Sequence, residues 1–280
     1  MLELHRFKSL SDNYMQILFV HQNFPGQYRY LAKHFCASPD WECFAIGERE
    51  NVTKQVSVMP NSIKLLAYDK PPELQGNYPP SSREFADQIN RSLMMSKVLR
   101  RQKNNGLNPQ IILVHPGWGE GLHLKEIFPN AKLVCFFEFF FQPDGPLVEF
   151  DPEFPLRFGE KTGYRVKNAQ NYISMDMADV GVTPTRWQWE AFPSEFQHKI
   201  KVIHDGVDTD LVSRIQGVDL KFSKSHLPEK VFSKEDEIIT FAVRNLEPSR
   251  GFHLYMRTLP RLQKLRPSAY FFIIGGDEKS

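Results

Sequence analysis

The sequence has 280 residues, a formal net charge of +2, 41% hydrophobic and 24% charged residues, and three cysteines. This composition is ordinary for a globular protein with one large α/β domain or two smaller domains. The near-neutral charge excludes a bulk electrostatic attraction to nucleic acid or to a membrane. Three cysteines without a CxxC pair favour a reducing compartment over a disulfide framework.

From the first residues of the sequence, we expect no secretory signal peptide. Its first sixteen residues contain no apolar segment of signal-peptide length. The longest apolar run, residues 133–141, contains Glu138 and is far shorter than the roughly 20 residues that span a bilayer. We therefore predict a cytoplasmic protein. Because Met15 directly precedes the first apolar run, we interpret residues 1–14 as an extension and Met15 as an alternative start.

The chain opens with the pattern of a βαβ unit. Residues 17–21 (ILFVH) form a continuous apolar run, typical of a buried parallel strand, and the turn QNFPGQ with Gly26 follows. Apolar residues then recur at i, i+3, i+4 and i+7, which predicts a helix, and residues 41–46 predict a second strand. The right-handed crossover would place the first turn at the carboxyl edge of the sheet.

The middle of the chain continues this alternation. Residues 60–82 are rich in Pro, Asn and Ser and predict a loop; residues 82–103 predict a long helix with one apolar side, formed by Phe85, Ile89, Leu93 and Val98. Residues 111–115 (IILVH) predict a buried strand that ends at His115, followed by PGWGEG and a short helix. Residues 132–137 predict a further strand, which ends at Glu138.

The C-terminal half contains two long polar segments. Residues 142–163, with four prolines, predict a functional loop, and the charged residues 209–236 predict an irregular interdomain linker. Between them we expect a helix over 166–178, strands over 180–183 and 201–204, and a helix capped by Thr185 with Gln188 three residues later. From residue 238 the pattern predicts a strand, a helix to about Leu265 and a strand over 270–274.

Alternating strands and helices predict a doubly wound parallel α/β architecture. We expect an N-terminal domain over residues 15–208, a linker over 209–236 and the start of a second domain over 237–280. Two strands and one helix bury too little surface for a stable domain. We therefore expect either that the chain is truncated at its C-terminus or that its second unit pairs with something else.

Three residues at predicted strand ends are candidates for a site: Gly26, His115 and Glu138. Ligands in open α/β sheets bind outside the carboxyl ends of the strands. Glu138 interrupts a Phe-rich run, where a carboxylate is unfavourable unless it is exposed, paired or used by the site. A plain turn glycine at position 26 stays open as the alternative.

Arg244 and Arg250 flank the turn between the strand and the helix that follow residue 238. Two guanidiniums near a helix N-terminus predict an anion site, because unpaired N–H groups and the helix dipole favour negative charge there. The alternative is that both arginines are solvated loop charges.

Signatures of other chemistry are weak. The DTD sequence at 208–210 leaves a metal site open, but no third ligand is evident, and the histidines show no metal-ligand spacing. No dinucleotide fingerprint, P-loop or nucleophile motif occurs, and no basic stripe interleaved with aromatics predicts nucleic-acid binding.

Taken together, the motifs resemble the family 4 glycosyltransferases of the GT-B fold, in the subgroup with a HQNFPGQ turn. The matching segments occur in family order and cover residues 17–277: ILFVHQNFPGQYRYL (17–31), HPGWGEGLHL (115–124), FEFFF (137–141), FDPEFP (150–155), TPTRWQ (183–188), VIHDGVDTD (202–210) and VRNLEPSRGFH (243–253).

The resemblance implies two Rossmann-like domains that face each other across a cleft, with a nucleotide-sugar donor bound mainly by the C-terminal one. Arg244 matches the family's diphosphate-binding arginine, and Arg250 stands where much of the wider family has lysine. Gly26 matches the glycine turn beside the donor phosphates. Glu138 falls at a strand end where many members have a site histidine, so we expect Glu138 and His115 to be catalytic.

The resemblance also assigns the HDGVD segment to the interdomain crossing, formed by Asp205, Gly206 and Asp208. Asp205 replaces the family's asparagine, and the assignment explains DTD without a metal. We therefore expect no cofactor and no metal, only a nucleotide-diphosphate sugar as donor substrate.

The implied activity is transfer of a sugar to an acceptor hydroxyl with retention of configuration. The acceptor is a glycan, a lipid-linked or a small molecule, and a peripheral membrane contact stays open; no nucleic acid is implied. The family's C-terminal glutamate pair would lie beyond residue 280, so we expect this chain alone to be almost inactive. The alternative is a non-catalytic glycosyltransferase-like protein that acts as a binding partner. Donor base, sugar and acceptor stay open.

Overall fold

The computed structural model describes residues 14–142, 144–145, 150–156, 158–224 and 227–277. These residues form two compact units. The first contains the described residues up to 145 and from 158 to 205, and the second contains residues 150–156 and 206–277. Residues 1–13, which carry most of the predicted N-terminal extension, lie outside the described residues.

The first unit is built on a parallel sheet of seven strands in the order β3-β2-β1-β4-β5-β6-β7. The strands are β1 (Met15–Val20), β2 (Trp41–Glu48), β3 (Lys64–Tyr68), β4 (Ile111–Val114), β5 (Lys132–Phe136), β6 (Val180–Thr183) and β7 (Ile200–Val202). The order of the strands reverses between β1 and β4, which creates the switch point where ligands of open α/β sheets bind.

Helices connect these strands. They are α1 (Arg29–Ala37), α2 (Arg49–Thr53), α3 (Pro80–Asn104), α4 (Leu124–Ile127), α5 (Phe158–Lys167), α6 (Ala169–Met177), α7 (Arg186–Ala191) and α8 (Ser194–Gln197). Short 3₁₀ turns follow β1 (Gly26–Tyr28) and β4 (Pro116–Trp118 and Glu120–His123). As predicted, Thr185 caps α7, and its hydroxyl accepts a hydrogen bond from the backbone N–H of Gln188.

The sheet has an apolar core on each face because successive strand residues point to opposite sides. Leu18 and Val20 of β1 belong to a core that includes Met95 of α3, and Phe19 belongs to a second core with Tyr28. All four residues from Ile17 to Val20 are fully buried, so β1 is the buried interior strand that the continuous apolar run predicts.

The second unit contains the β-α-β arrangement that the sequence predicts. Strand β10 (Ile238–Asn245) pairs in parallel with β11 (Tyr270–Gly276), and α9 (Phe252–Leu265) connects them. A hairpin precedes them, in which β8 (Leu220–Lys224) and β9 (Leu227–Phe232) are antiparallel. Residues 150–156 belong to this unit: Glu153 forms two hydrogen bonds of 2.6 Å with Arg257, and Asp151 lies 2.9 Å from His253.

Four expectations are wrong in part. Strand β3 lies inside the predicted loop 60–82, and α5 begins inside the predicted loop 142–163, so that two helices replace the single one expected over 166–178. The hairpin β8–β9 lies inside the predicted irregular linker 209–236. On α3, Leu93 of the predicted apolar side is 45% exposed, whereas Met95 and Leu99 are fully buried.

None of the helices in the described part of the chain combines the length and the apolar content needed to cross a lipid bilayer.

Candidate functional site

A cavity of about 410 Å³ lies in the first unit, beyond the carboxyl ends of β4 and β5. Its walls are one side of α3, the segments that follow β4 and β5, and the junction of α5 and α6. The lining residues are Glu84, Asp87, Gln88, Arg91, His115, Pro116, Gly117, Trp118, Phe136, Phe137, Glu138, Phe139, Phe141, Lys167, Gln170 and Asn171. Two of the predicted site residues, His115 and Glu138, therefore meet in one cavity.

His115 and Glu138 form a hydrogen-bonded pair. The Nε2 of His115 lies 3.2 Å from Oε2 of Glu138, and the Nδ1 of His115 accepts the backbone N–H of Gly117 over 3.3 Å. Because Nδ1 is an acceptor, Nε2 carries the proton and donates to the carboxylate. The His115 side chain is 5% exposed and that of Glu138 is 53% exposed, so a buried donor orients a carboxylate that ligands can reach.

Aromatic rings fix the plane of the His115 imidazole. Trp118 stacks on it with ring centroids 4.4 Å apart, and Phe136 stacks at 5.6 Å. The ring of His21 approaches at 5.2 Å at a steep angle. These contacts leave His115 little freedom, which is what a residue that orients a neighbour requires.

His21 directly follows β1 and is neutral at neutral pH. Its Nδ1 accepts the backbone N–H of Asn23, and its Nε2 lies 2.6 Å from Oε1 of Gln27. Burial lowers the pKa of His21 from its ordinary value of 6.5 to about 4, and nearby His115 adds to the decrease. Within the first unit, His21 thus supports the cavity wall through its contact with His115.

Gly26 packs directly on His21. Its φ is +44°, and a Cβ at this position would come within 2.3 Å of the Nε2 of His21. A side chain is therefore excluded by both conformation and space. The predicted role of Gly26 beside donor phosphates stays a prediction.

Amide side chains hold the segment that follows β5. Asn168 bonds both backbone groups of Phe141, accepting its N–H at 2.9 Å and donating to its carbonyl at 2.5 Å. Asn171 donates to the carbonyl of Phe139 at 3.0 Å, and Gln188 donates to that of Glu138 at 2.7 Å. The FEFFF motif is thereby fixed along the cavity. Asn168 and Asn171 were not predicted as site residues, because the sequence shows them only as polar positions of a predicted helix; Gln188 was predicted only as part of the capping pattern of α7.

One polar side of α3 also lines the cavity. Its members are spaced at i, i+3, i+4 and i+7 and are Glu84, Asp87, Gln88 and Arg91. Arg91 donates to the carbonyl of Trp118 at 3.0 Å and lies 3.4 Å from the buried carboxylate of Glu48. The sequence contains this helical spacing, but polar residues at such a spacing are equally typical of a solvated helix surface.

A buried carboxyl group lies behind this wall. Glu120 is fully buried, and the hydroxyl of Tyr68 donates a hydrogen bond to its Oε1. Burial raises the pKa of Glu120. Gly119, the preceding residue, has a φ of +102° and packs so tightly on α3 that a Cβ would come within 2.3 Å of the Gln88 carbonyl oxygen. The turn after β4 is therefore anchored to α3.

The residues of the predicted crossing lie in different units. Asp205 ends the first unit; burial raises its pKa, and the Glu138 carboxylate adds to the increase, so Asp205 belongs to the electrostatic surroundings of the His115–Glu138 pair. Gly206 and Asp208 begin the second unit, where Asp208 Oδ1 accepts the backbone N–H of Leu211 at 3.1 Å. Their interdomain role stays a prediction.

The two arginines belong to the second unit and are exposed. Arg244 lies near the end of β10, and Arg250 closes the 3₁₀ turn directly before α9. Nε of Arg250 lies 3.2 Å from Oε1 of Glu247, a partner that the sequence analysis did not consider. Binding of a diphosphate by these arginines stays a prediction.

Asp151, Glu153 and His253 bring ligand-type atoms within 4.8 Å of one another in the second unit. Arg257 already occupies both carboxylate oxygens of Glu153 at 2.6 Å. We therefore interpret this group as an ion-pair cluster that fastens residues 150–156 to α9.

A family model described as "Glycosyl transferase family 4 group" matches residues 39–212. The chain belongs to this family. The match includes β4, β5, α3 and α6, and therefore every lining residue of the cavity. A comparison with curated proteins finds no match.

Solved structures are similar to this family 4 member. UGT89C1 of Arabidopsis thaliana, complexed with UDP-L-rhamnose, is 10% identical with a TM-score of 0.54, over 96% of this chain and 70% of that one. UGT2 of Phytolacca americana, complexed with UDP-2fluoro-glucose and pterostilbene, is 10% identical with a TM-score of 0.48, over 72% and 56%. The glycotransferase of kitacinnamycin is 10% identical with a TM-score of 0.48, over 93% and 65%.

At these identities the likeness concerns the fold. The chain spans 56% and 65% of the second and third of these structures, which is less than two thirds of their length. The predicted resemblance to family 4 glycosyltransferases and the predicted α/β, Rossmann-like fold of GT-B type are confirmed.

Proposed function

We propose that the protein is a retaining glycosyltransferase that transfers a sugar from a nucleotide-diphosphate donor to an acceptor hydroxyl. The observation that carries the proposal is the His115–Glu138 pair, which lies inside a cavity of about 410 Å³ at the carboxyl edge of the sheet. In a family 4 glycosyltransferase, a carboxylate oriented in this way suits a sugar hydroxyl, because an ionised carboxylate is a strong hydrogen-bond acceptor.

Each group has a distinct part in the proposed reaction. His115 donates to Glu138 and fixes its carboxylate, and Glu138 accepts a hydrogen bond from a hydroxyl of the bound substrate. Arg244 and Arg250 bind the diphosphate, with the start of α9 supplying backbone N–H groups and the positive end of the helix dipole. As the sugar leaves, negative charge develops on the diphosphate, and these groups stabilise it electrostatically.

This division of roles needs no metal ion, since two guanidiniums and a helix N-terminus supply the positive field. Retention of configuration is supported by the family resemblance of the segment that contains Arg244 and Arg250. UDP-sugars are suitable first donors for a test, because UGT89C1 and UGT2 were solved with them.

Two measurements test the proposal. Calorimetry with UDP and GDP should detect binding of one nucleotide, and Arg244→Ala should weaken it. Incubation of the full-length enzyme with UDP-sugars and an acceptor panel should give a product whose anomeric proton, by NMR, has the donor's configuration. An inverted product would overturn retention. Nucleotide binding without any transfer would support a non-catalytic role, and absence of both would refute the proposal.

A further inference from the structure

Most donor side chains in the lining of the cavity in the first unit already have a protein partner. Its five charged or amide donor side chains are Gln88, Arg91, Lys167, Gln170 and Asn171, and each already serves a protein acceptor. Gln88 donates to the Gly117 carbonyl at 3.4 Å, and Gln170 donates to Oδ1 of Asn171 at 2.7 Å. Lys167 lies 3.4 Å from the carboxylate of Glu84, so its charge is partly neutralised.

Two acceptors in the same lining are unused. Asp87, half-buried on α3, forms no ion pair and no side-chain hydrogen bond with any residue that the structure describes. Gln170 is only 4% exposed, and its Oε1 has no hydrogen-bond partner among the described residues. A buried acceptor without a partner is unfavourable, and a ligand that donates to it relieves this penalty.

The charged side chains that line the cavity leave an excess of negative charge. Glu84 is paired with Lys167, Arg91 is paired with Glu48, and Glu138 accepts from His115. The carboxylate of Asp87 has no cationic partner among the described residues. An anionic ligand would therefore be repelled in this cavity, whereas a cationic group would be attracted.

We propose that the acceptor bound in this cavity is a polyhydroxylated molecule that carries a protonated amine, with its ammonium group at Asp87. A hydroxyl of the same molecule donates to Glu138, and another donates to Oε1 of Gln170. An ammonium group supplies up to three donors, which matches a lining that offers acceptors and whose own amide donors are occupied. This inference rests on the proposed function, because it identifies the substrate class of the same site.

The test measures binding without a donor, so its result does not depend on sugar transfer. Chemical-shift titrations of the whole ¹⁵N-labelled chain would use glucosamine, glucose and glucose 6-phosphate at a slightly acidic pH, where the amine is protonated. Glucosamine should bind about tenfold or more tightly than glucose, because its ammonium group adds a charged hydrogen bond, and glucose 6-phosphate should bind most weakly.

Variants assign the effect to one side chain. In Asp87→Asn the affinity for glucosamine should fall to that for glucose, while glucose binding stays the same. Asp176→Asn is the matched control, because Asp176 is exposed on α6, does not line the cavity and removes the same charge. It should keep the preference for glucosamine.

Equal binding of glucosamine and glucose by the unchanged chain would overturn the proposal, as would preferred binding of glucose 6-phosphate or no binding of any of the three. A preference that survives Asp87→Asn would also overturn it. The proposed function fails on different evidence, namely absence of nucleotide binding and of transfer, so the two failures are distinguishable.

Discussion

His115 donates from Nε2 to Oε2 of Glu138 over 3.2 Å, although the two residues belong to different strand ends. Strands β4 and β5 are neighbours in the parallel sheet, with Val114 paired to Cys135. The residues that follow these strands therefore emerge at the same edge. The pairing turns two separate sequence signals into one chemical unit, a buried imidazole and a half-exposed carboxylate.

Glu138→Gln should reduce sugar transfer by about 10²-fold or more, because a neutral amide accepts a weaker hydrogen bond from the substrate than a carboxylate does. The unfolding midpoint should change little, since the Glu138 side chain is 53% exposed. Initial rates of the full-length enzyme in the transfer assay would measure the effect. Glu126→Gln, an exposed position on α4 outside the cavity, is the control. Equal rates in both variants would remove Glu138 from the mechanism.

Arg244→Ala and Arg250→Ala should each weaken UDP binding by roughly 10- to 100-fold, the loss of one charged hydrogen-bonding group to phosphate. Arg261→Ala, an exposed position on α9 of the same unit, should leave the affinity unchanged. Glu247→Gln should strengthen binding, because it removes the carboxylate that lies 3.2 Å from Arg250. Calorimetry would measure the affinity of each variant for UDP. Similar affinities of Arg261→Ala and Arg244→Ala would identify Arg244 and Arg250 as solvated charges.

The buried strands could be predicted because each is a continuous apolar run, as in residues 17–20 of β1. Strand β3 could not, since it is an edge strand that pairs only with β2 and its five residues lie in a segment rich in proline and asparagine. Helix α5 contains two glycines and follows a proline-rich stretch, so its helical tendency is weak. In contrast, the alternation of apolar and polar residues in β8 was available from the sequence.

The residues of the candidate site also fall into those that could be predicted from the sequence and those that could not. His115 and Glu138 could be predicted because polar residues that end buried strands are unusual. Asp87 and Asn168 could not, since a polar residue on a helix is normally a solvated surface position. Their significance arises from tertiary packing, which brings Asp87 into the cavity lining and Asn168 against the backbone of Phe141, another lining residue.

Gly26→Ala should destabilise the protein by about 2–4 kcal/mol, through backbone strain at positive φ together with overpacking against His21. Gly106→Ala separates the two effects. Gly106 also has a positive φ, +102°, but a Cβ there would meet nothing within 4 Å. Gly106→Ala should therefore lose stability through backbone strain alone, by about 1–2 kcal/mol. Urea unfolding would measure both, and equal losses would contradict the contact between Gly26 and His21.

Glu153→Arg should release residues 150–156 from α9, because Arg257 would then face a like charge in place of its two 2.6 Å hydrogen bonds. Limited proteolysis should cut within residues 150–156 faster in this variant. The exchanged pair, Glu153→Arg with Arg257→Glu, should restore protection. Unchanged cleavage in the single variant would show that Phe154 and Asp151, which contact His253, suffice to hold the segment.

The stability of the protein should fall as the pH decreases from about 6.5 to 4, because of His21. Burial lowers the pKa of His21 from 6.5 to about 4, so over this range the unfolded chain binds a proton that the folded protein does not. The contribution of His21 is complete above pH 6.5 and is lost progressively as the pH approaches 4. A shift of this size corresponds to about 3 kcal/mol in total.

His21→Asn tests this assignment, since asparagine keeps an acceptor for the backbone N–H of Asn23 but does not titrate. The variant should be less stable at neutral pH, because the contacts of the ring with His115 and Trp118 are lost. Its free energy of unfolding should nevertheless depend less on pH between 6.5 and 4, by up to about 1.4 kcal/mol per unit. His198→Asn, an exposed histidine, should keep the wild-type slope. Urea unfolding at several pH values would measure these slopes. If His21→Asn kept the wild-type dependence of the free energy of unfolding on pH, a group other than His21 would be responsible for it.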